Sequence, residues 1–338
     1  MIGCIHSSYL TMSNNQSFGT IAAATVGAVV IGGAALYLKS SSTKESKDGK
    51  LAASRAKSAA ESWDDHVASR HGSLQEIWPG VLYVLEASGC DMGPPTRNMI
   101  IYRIPGLYGV QNNKENPLVI YNAVAVDENT MEEIEALGKP TVLIVPNCYH
   151  RCCAAVYKKR YPDILVACPE PAREKVLEVV DIDKTIDEWA KMDEYSKYVA
   201  SKTIDGWGPF ENVLELQLEA SAKGKKAVVV CDLLFTVPYK DDAGYAERFM
   251  TWLFDSSIVL PTEKDEIIVP KVARLSRIFA IEDWKKAEKW YQTYAREEGK
   301  KVASIVVGHG PPVVEVDTRE GCRVALEGIA DQLVKPRW

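Results

Sequence analysis

The chain has 338 residues, of which 46% are hydrophobic and 25% charged, enough apolar material for a core built without disulfides or metal. A net charge of −6, with no basic stretch interleaved with aromatics, excludes a nucleic-acid binder. The eight cysteines include no CxxC pair, which excludes a zinc ribbon or a thioredoxin motif. Those inside apolar runs, such as Cys168 and Cys231, read as buried and reduced.

Residues 1–38 contain no Asp, Glu, Lys or Arg. After a short tail, 1–17, the segment from Phe18 to Leu38 is uncharged and rich in Ala, Val and Gly. At about 1.5 Å per residue it crosses a hydrocarbon core of about 30 Å, so a single transmembrane helix is predicted over 18–38. A cleaved signal peptide is the competing reading, but no Lys or Arg precedes the segment and no A-x-A site follows it. Lys39, Lys44, Lys47, Lys50, Arg55 and Lys57 all follow the span. The positive-inside rule then places the C-terminal part on the cytoplasmic side of a single-pass protein.

Residues 39–50 (KSSSTKESKDGK) are polar and lack apolar periodicity, which predicts a flexible linker. Residues 51–71 are Ala-rich with mixed charge and predict a helix leading into a domain. Together 39–74 form linker and helix, and the domain occupies 75–338.

Within it, short apolar runs predict strands at Val81–Glu86, Asn98–Arg103, Leu118–Tyr121, Thr141–Val145 and Asp163–Ala167. Further strands are expected at Val213–Glu219, Ala227–Cys231, Ala303–Val307 and Val313–Val316. Helices are expected at Asn129–Leu137, Cys152–Arg160, Pro171–Val179, Asp187–Ser201, Tyr245–Asp255 and Glu282–Glu298. A β-rich start followed by βα units indicates an α/β fold of two sheets with helices outside, and not one doubly wound sheet. No GxGxxG or GxxxxGK[ST] sequence supports nucleotide binding.

Three polar clusters follow apolar strands directly. They are Pro146 to Cys153 (PNCYHRCC) after TVLIV, Asp232 after AVVVC, and Gly308-His309-Gly310-Pro311 after ASIVV. Strand ends are where α/β folds collect site residues. Only five histidines exist in the chain, and His150 and His309 stand at two of these ends. Each residue also has a plain structural reading: His309 can hydrogen-bond in a tight turn, and Asp232 can cap the loop that follows it. Cys148 beside His150 offers a thiol and a base, but no third group to orient them is visible in the sequence.

The order IWPGVLYVLE, helix, strand with a His-bearing loop, strand ending in Asp, and strand ending in GHG resembles the metallo-β-lactamase superfamily. It is most similar to a subgroup with a PN..H segment where other members carry HxHxDH. The resemblance covers about residues 76–315 and implies an αββα sandwich. Members normally hold two metals, usually zinc, between the sheets. Aligned to HxHxDH, the positions of the two His and the Asp fall on Asn147, Tyr149 and Arg151, and the last on Cys152. No His lies at 205–220, where the family places another ligand. Asp232 matches the bridging Asp and His309 the final His, with His150 a third donor if its loop shifts.

A catalytic zinc needs about three protein ligands and an open position, and Arg151 pointing inward would repel a cation. The resemblance therefore implies a depleted metal site, in a protein that the span at 18–38 would anchor to a membrane. The favoured role is non-catalytic, as a scaffold or as a binder of a small molecule or protein in the inter-sheet groove, without cofactor. The alternative is a hydrolase of an ester, thioester or phosphoester, using one zinc held by His150, Asp232 and His309.

Overall fold

The computed structural model describes residues 44–68, 70–87, 97–105, 115–208, 210–220, 224–237, 266–269, 281–314 and 320–334. The predicted span at 18–38, the helix at Tyr245–Asp255 and the end of the strand at Val313–Val316 lie outside them. Among the described residues no helix is long and apolar enough to cross a membrane. The chain divides into two compact units, Met1–Leu51 and Ala52–Trp338. The sheets and the site lie in the second.

Fourteen strands are described. The first sheet joins β1 (Gln75–Trp78), β2 (Leu82–Ala87), β3 (Arg97–Arg103), β4 (Pro117–Tyr121), β5 (Lys139–Ile144), β6 (Leu165–Cys168) and β7 (Lys184–Thr185) in chain order. Pairing is antiparallel from β1 to β4 and parallel from β4 to β7. The second sheet draws on β8 (Val199–Lys202), β9 (Val213–Gln217), β10 (Lys226–Val229), β13 (Val302–Val306) and β14 (Val313–Val314), in the order β14-β13-β10-β9-β8. A separate ribbon pairs β11 (Phe235–Val237) with β12 (Glu266–Ile268). Among the described residues the α-helices are α1 (Lys44–Ala60), α2 (Glu128–Leu137), α3 (Ala154–Arg160), α4 (Arg173–Val176), α5 (Ile186–Ala190), α6 (Trp284–Glu298) and α7 (Arg323–Val334).

Strand alternation sorts the apolar residues into three cores. Leu82, Val84, Ile100 and Val119 of the first sheet meet Leu214, Leu216, Ala227 and Val229 of the second. The opposite faces carry Leu85, Met99, Leu118 and Leu143, packed with Met131, Ile134, Val156 and Tyr157 of α2 and α3. On the far side Val228, Val302 and Ile305 pack with Tyr291, Ala295, Leu326 and Ile329 of α6 and α7. The layers are therefore helix, sheet, sheet, helix, a metallo-β-lactamase-like arrangement. Burial on both faces explains why these strands read as nearly continuous apolar runs.

Several elements depart from expectation. The segment read as a linker is helical from Lys44, because the Ala-rich stretch nucleates a helix that the preceding Lys, Glu and Ser residues can propagate. Residues before 75 join the core, since Trp63 packs against it and its indole donates to Val126 O at 2.9 Å. Helix α2 begins at Glu128 and not at the expected Asn129, because Asp127 caps it, its carboxylate accepting from Thr130 N at 3.0 Å. The helix expected at Asp187–Ser201 is only α5, which begins with a Thr185/Glu188 capping box. Its expected end becomes strand β8, paired with β9. There an edge strand pairs with β9, a tertiary contact that local spacing does not reveal. Helix α7 goes unpredicted although Leu326, Ile329, Ala330 and Leu333 lie on one buried stripe at helical spacing.

Candidate metal centre

Six segments bring polar side chains to one end of the sandwich. Strands β4, β5, β10 and β13 end there, while β3 and β9, running the other way, begin there. The residues leaving or entering these strands are Asn98, Asn122, Asn147 with His150, Glu211, Asp232, and His309. All but the two histidines are buried.

His150, Asp232 and His309 meet. His150 Nε2 lies 3.2 Å from Asp232 Oδ1, His309 Nε2 lies 3.1 Å from the same oxygen, and the two Nε2 atoms are 3.3 Å apart. The tautomer of His150 follows from its neighbour. The Asn122 amide nitrogen donates to Asn98 O at 2.8 Å, so its oxygen is the atom 2.8 Å from His150 Nδ1. Nδ1 must then donate, so Nε2 is the nitrogen that faces Asp232 and His309 and would present an unshared pair to a metal. Asn122 adopts φ 58° to make this reach; Asn is among the few side chains that tolerate that region.

Below this triangle lies a buried support. Asn147 Nδ2 donates to Asp232 Oδ2 at 2.9 Å and to Glu211 Oε2 at 3.2 Å. Its carbonyl accepts from Tyr149 N and His150 N, fixing the loop that carries His150. Glu211 accepts from the backbone amides of Cys231 and Asp232. It stands in the region 205–220, where the resemblance implies a histidine, and it holds the β10 end instead of presenting a ligand. The GHG turn is pinned from β3: Asn98 Nδ2 donates to Val307 O at 2.9 Å, and Asn98 N to Gly308 O at 2.8 Å. At Gly310, φ is +93° and a Cβ would stand 1.8 Å from Thr236 O, so only glycine fits.

Electrostatics follow the same layout. Burial would raise the Asp232 carboxyl, but the charge and hydrogen bond of His150, then those of His309, hold it well below the usual carboxylate range. Burial and the neighbouring Asp232 charge push the Glu211 carboxyl up to about 8, against the pull of its donors.

Arg151 does not enter the site. Its guanidinium turns to Glu178 at 2.7 Å and to the carbonyl of Lys175, which removes the repulsion foreseen from its place in the motif. Tyr149 is 47% exposed. Cys148 is raised chiefly by burial, the wrong direction for a nucleophile. Cys231 offers sulfur, and its Sγ and the donor atoms of His150 and Asp232 all lie within 4.8 Å of one another. Burial pushes that thiol well above its ordinary value. His309 Nε2, 3.1 Å from Asp232 Oδ1 and 3.3 Å from His150 Nε2, offers a nitrogen donor for the third place.

The donor set fits a metal. Three donors around one zinc at about 2.0–2.1 Å stand about 3.3 Å apart in tetrahedral geometry, and the three observed separations are 3.1–3.3 Å. Asn98, Asn122, Asn147 as a support, and Glu211 escape sequence reasoning. Asn122 carries a signal of the same kind as the others, a polar residue directly after the apolar run PLVIY. Glu211 precedes its strand and carries none.

No protein-family model matches the chain and no curated protein matches it in sequence. Among solved structures it is similar to the metallo-β-lactamase DIM-1 exposed to ceftazidime, at 9% identity and TM-score 0.44, over 78% of this chain and 99% of that one. The FIM-1 metallo-β-lactamase from Pseudomonas aeruginosa in its mono-zinc form matches at 10% identity and TM-score 0.43, over 78% and 96%. A metallo-β-lactamase from Erythrobacter litoralis with β-mercaptoethanol in the active site matches at 11% identity and TM-score 0.43, over 77% and 96%. These are similarities of chain path and bear on neither activity nor ligand.

Proposed function

We propose that the domain is a metal-dependent hydrolase that holds one zinc ion through His150, Asp232 and His309, in place of the non-catalytic role favoured by the sequence. The observation that carries this reading is the triangle of three donor atoms 3.1–3.3 Å apart. Two imidazoles and one carboxylate are a catalytic kind of ligand set, because a structural zinc takes four protein ligands and leaves no open position. Bound there, zinc would supply Lewis-acid polarisation of a carbonyl or phosphoryl oxygen. The chain's own groups do the positioning. Asn122 holds the His150 ring with Nε2 presented, Asn147 orients Asp232, and Glu211 ties down the β10 end that carries it. The substrate class is an ester, thioester or phosphoester.

The test is zinc titration of the purified chain, followed by turnover of one substrate of each class with and without chelator. About one equivalent of zinc and chelator-sensitive hydrolysis are expected. Failure to retain zinc through dialysis would return the site to a proton-bridged His–Asp–His cluster and restore the binding-protein reading.

We also infer that residues 18–38 tether this domain to a membrane, supported by their lack of charge and the basic flank after them. The full chain should remain in the membrane pellet through a carbonate wash, and a chain lacking residues 1–38 should not. Retention of the shortened chain would sink the tether.

A further inference from the structure

The outer face of the first sheet carries a second cluster of titratable side chains, which the proposed hydrolysis does not use. Its centre is Cys153, 1% exposed, just ahead of α3. Arg97, from β3 and itself 5% exposed, places Nη2 3.1 Å from the Cys153 sulfur. His66, in the 3-10 turn Asp64–His66, hydrogen-bonds the same sulfur. Glu61 Oε2 stands 2.9 Å from His66 Nε2 and orients the ring. Tyr157 also faces the thiol, but burial keeps it a neutral phenol, and its hydroxyl donates to Val124 O at 2.9 Å.

This arrangement suits an anion at sulfur. A guanidinium is always charged and only donates, and a neutral thiol is a weak acceptor. Burial without cationic donors raises a thiol, as at Cys168, which is pushed up to about 12. Two cationic donors on one sulfur act in the opposite direction. The histidine responds in kind: its hydrogen bond to Cys153 raises His66, burial opposes, and Glu61 adds to the rise, to about 9.

We propose that Arg97 and His66 hold Cys153 as a thiolate that reacts with small hydroperoxides, a Cys–His–Glu site separate from the metal centre. In the reaction a sulfur electron pair attacks the hydroxyl oxygen of the peroxide. The S–O bond forms as the O–O bond breaks, giving a sulfenic acid. The departing hydroxide or alkoxide takes the proton of the His66 imidazolium and leaves as water or alcohol. Sulfur is oxidised and the peroxide reduced. The 1% exposure of Cys153 restricts the oxidant to peroxide-sized molecules.

The experiment uses the full chain and its Cys153→Ala and His66→Gln variants. The ultraviolet thiolate absorbance of the wild type minus that of Cys153→Ala is followed against pH. A band present at pH 7 and lost on acidification is expected, with its midpoint moved upward by about one pH unit or more in His66→Gln. A short hydrogen peroxide exposure, acid quench and peptide mass spectrometry should show Cys153 gaining oxygen about tenfold faster than Cys168, and about tenfold slower in His66→Gln than in the wild type. The absorbance arm does not require reagent access, so a closed cluster cannot hide a thiolate. Absence of the band at pH 7, oxidation no faster than at Cys168, or a rate unchanged in His66→Gln would each overturn the proposal.

Discussion

Asp232→Asn is expected to weaken zinc binding by at least about 100-fold. Asp232 supplies the one carboxylate of the triangle, and its Oδ1 is the atom both imidazoles approach. The amide is close in shape but carries no charge to offset the cation. It also places an N–H where Oδ2 now accepts from Asn147, so two donors would face each other in a buried site. Zinc bound to the native state alone should raise the thermal midpoint of the wild type, and that increment should vanish in the variant. Asn122→Ala is the finer probe. It leaves all three donors but frees the His150 ring, and a loss of about 10–100-fold in zinc affinity is expected. Competition with a chromophoric chelator measures both. An Asp232→Asn protein that binds zinc within twofold of the wild type would remove the metal-centre reading altogether.

Lys226→Met is expected to cost about 3–5 kcal/mol of stability, because it leaves a buried carboxylate short of its main partner. Lys226 and Glu215 are 4% and 5% exposed. They pair at 2.7 Å on adjacent strands of the second sheet, beneath α6. Lys226 also reaches Glu298 at 2.8 Å, and Glu215 accepts from Tyr294 and pairs with Lys202 at 3.0 Å. Burial would raise Glu215, but the hydrogen bonds of Lys226 and Tyr294 reverse the shift and hold it below its ordinary value. The sign for stability follows. A depressed folded pKa means that the pair's contribution is present above the unfolded carboxylate pKa and is lost as pH falls through the folded one. Wild-type stability should therefore decline with acid below about pH 4.5, and Lys226→Met should decline less over that interval. The Lys226→Met/Glu215→Leu double variant should recover part of the loss, since no buried charge remains on β9 or β10. Urea denaturation measures each. A single-variant cost under about 1 kcal/mol would show that Lys202 and Tyr294 alone satisfy Glu215.

Strands that run as apolar blocks in both sheets are legible in the residue order, because burial on two faces writes itself into composition. His150, Asp232 and His309 are legible as candidates too, because each stands at or just after the end of such a block and rigid strand ends aim side chains into a shared crevice. The rest depends on contacts between distant segments. Strand β8 exists because β9 offers it a pairing edge, a contact invisible to local propensity. The fate of Arg151 depended on Glu178, 27 residues further on, and only the chain path brings the two together. Asn122 and Glu211 act through side-chain hydrogen bonds to partners in other segments, and such contacts leave no periodic trace in a sequence. Motif register alone put His150 between ligand positions. The loop turn fixed by Asn147 carried its ring inward, because a hydrogen bond closing over two or three residues reorients a side chain without altering the order of residues.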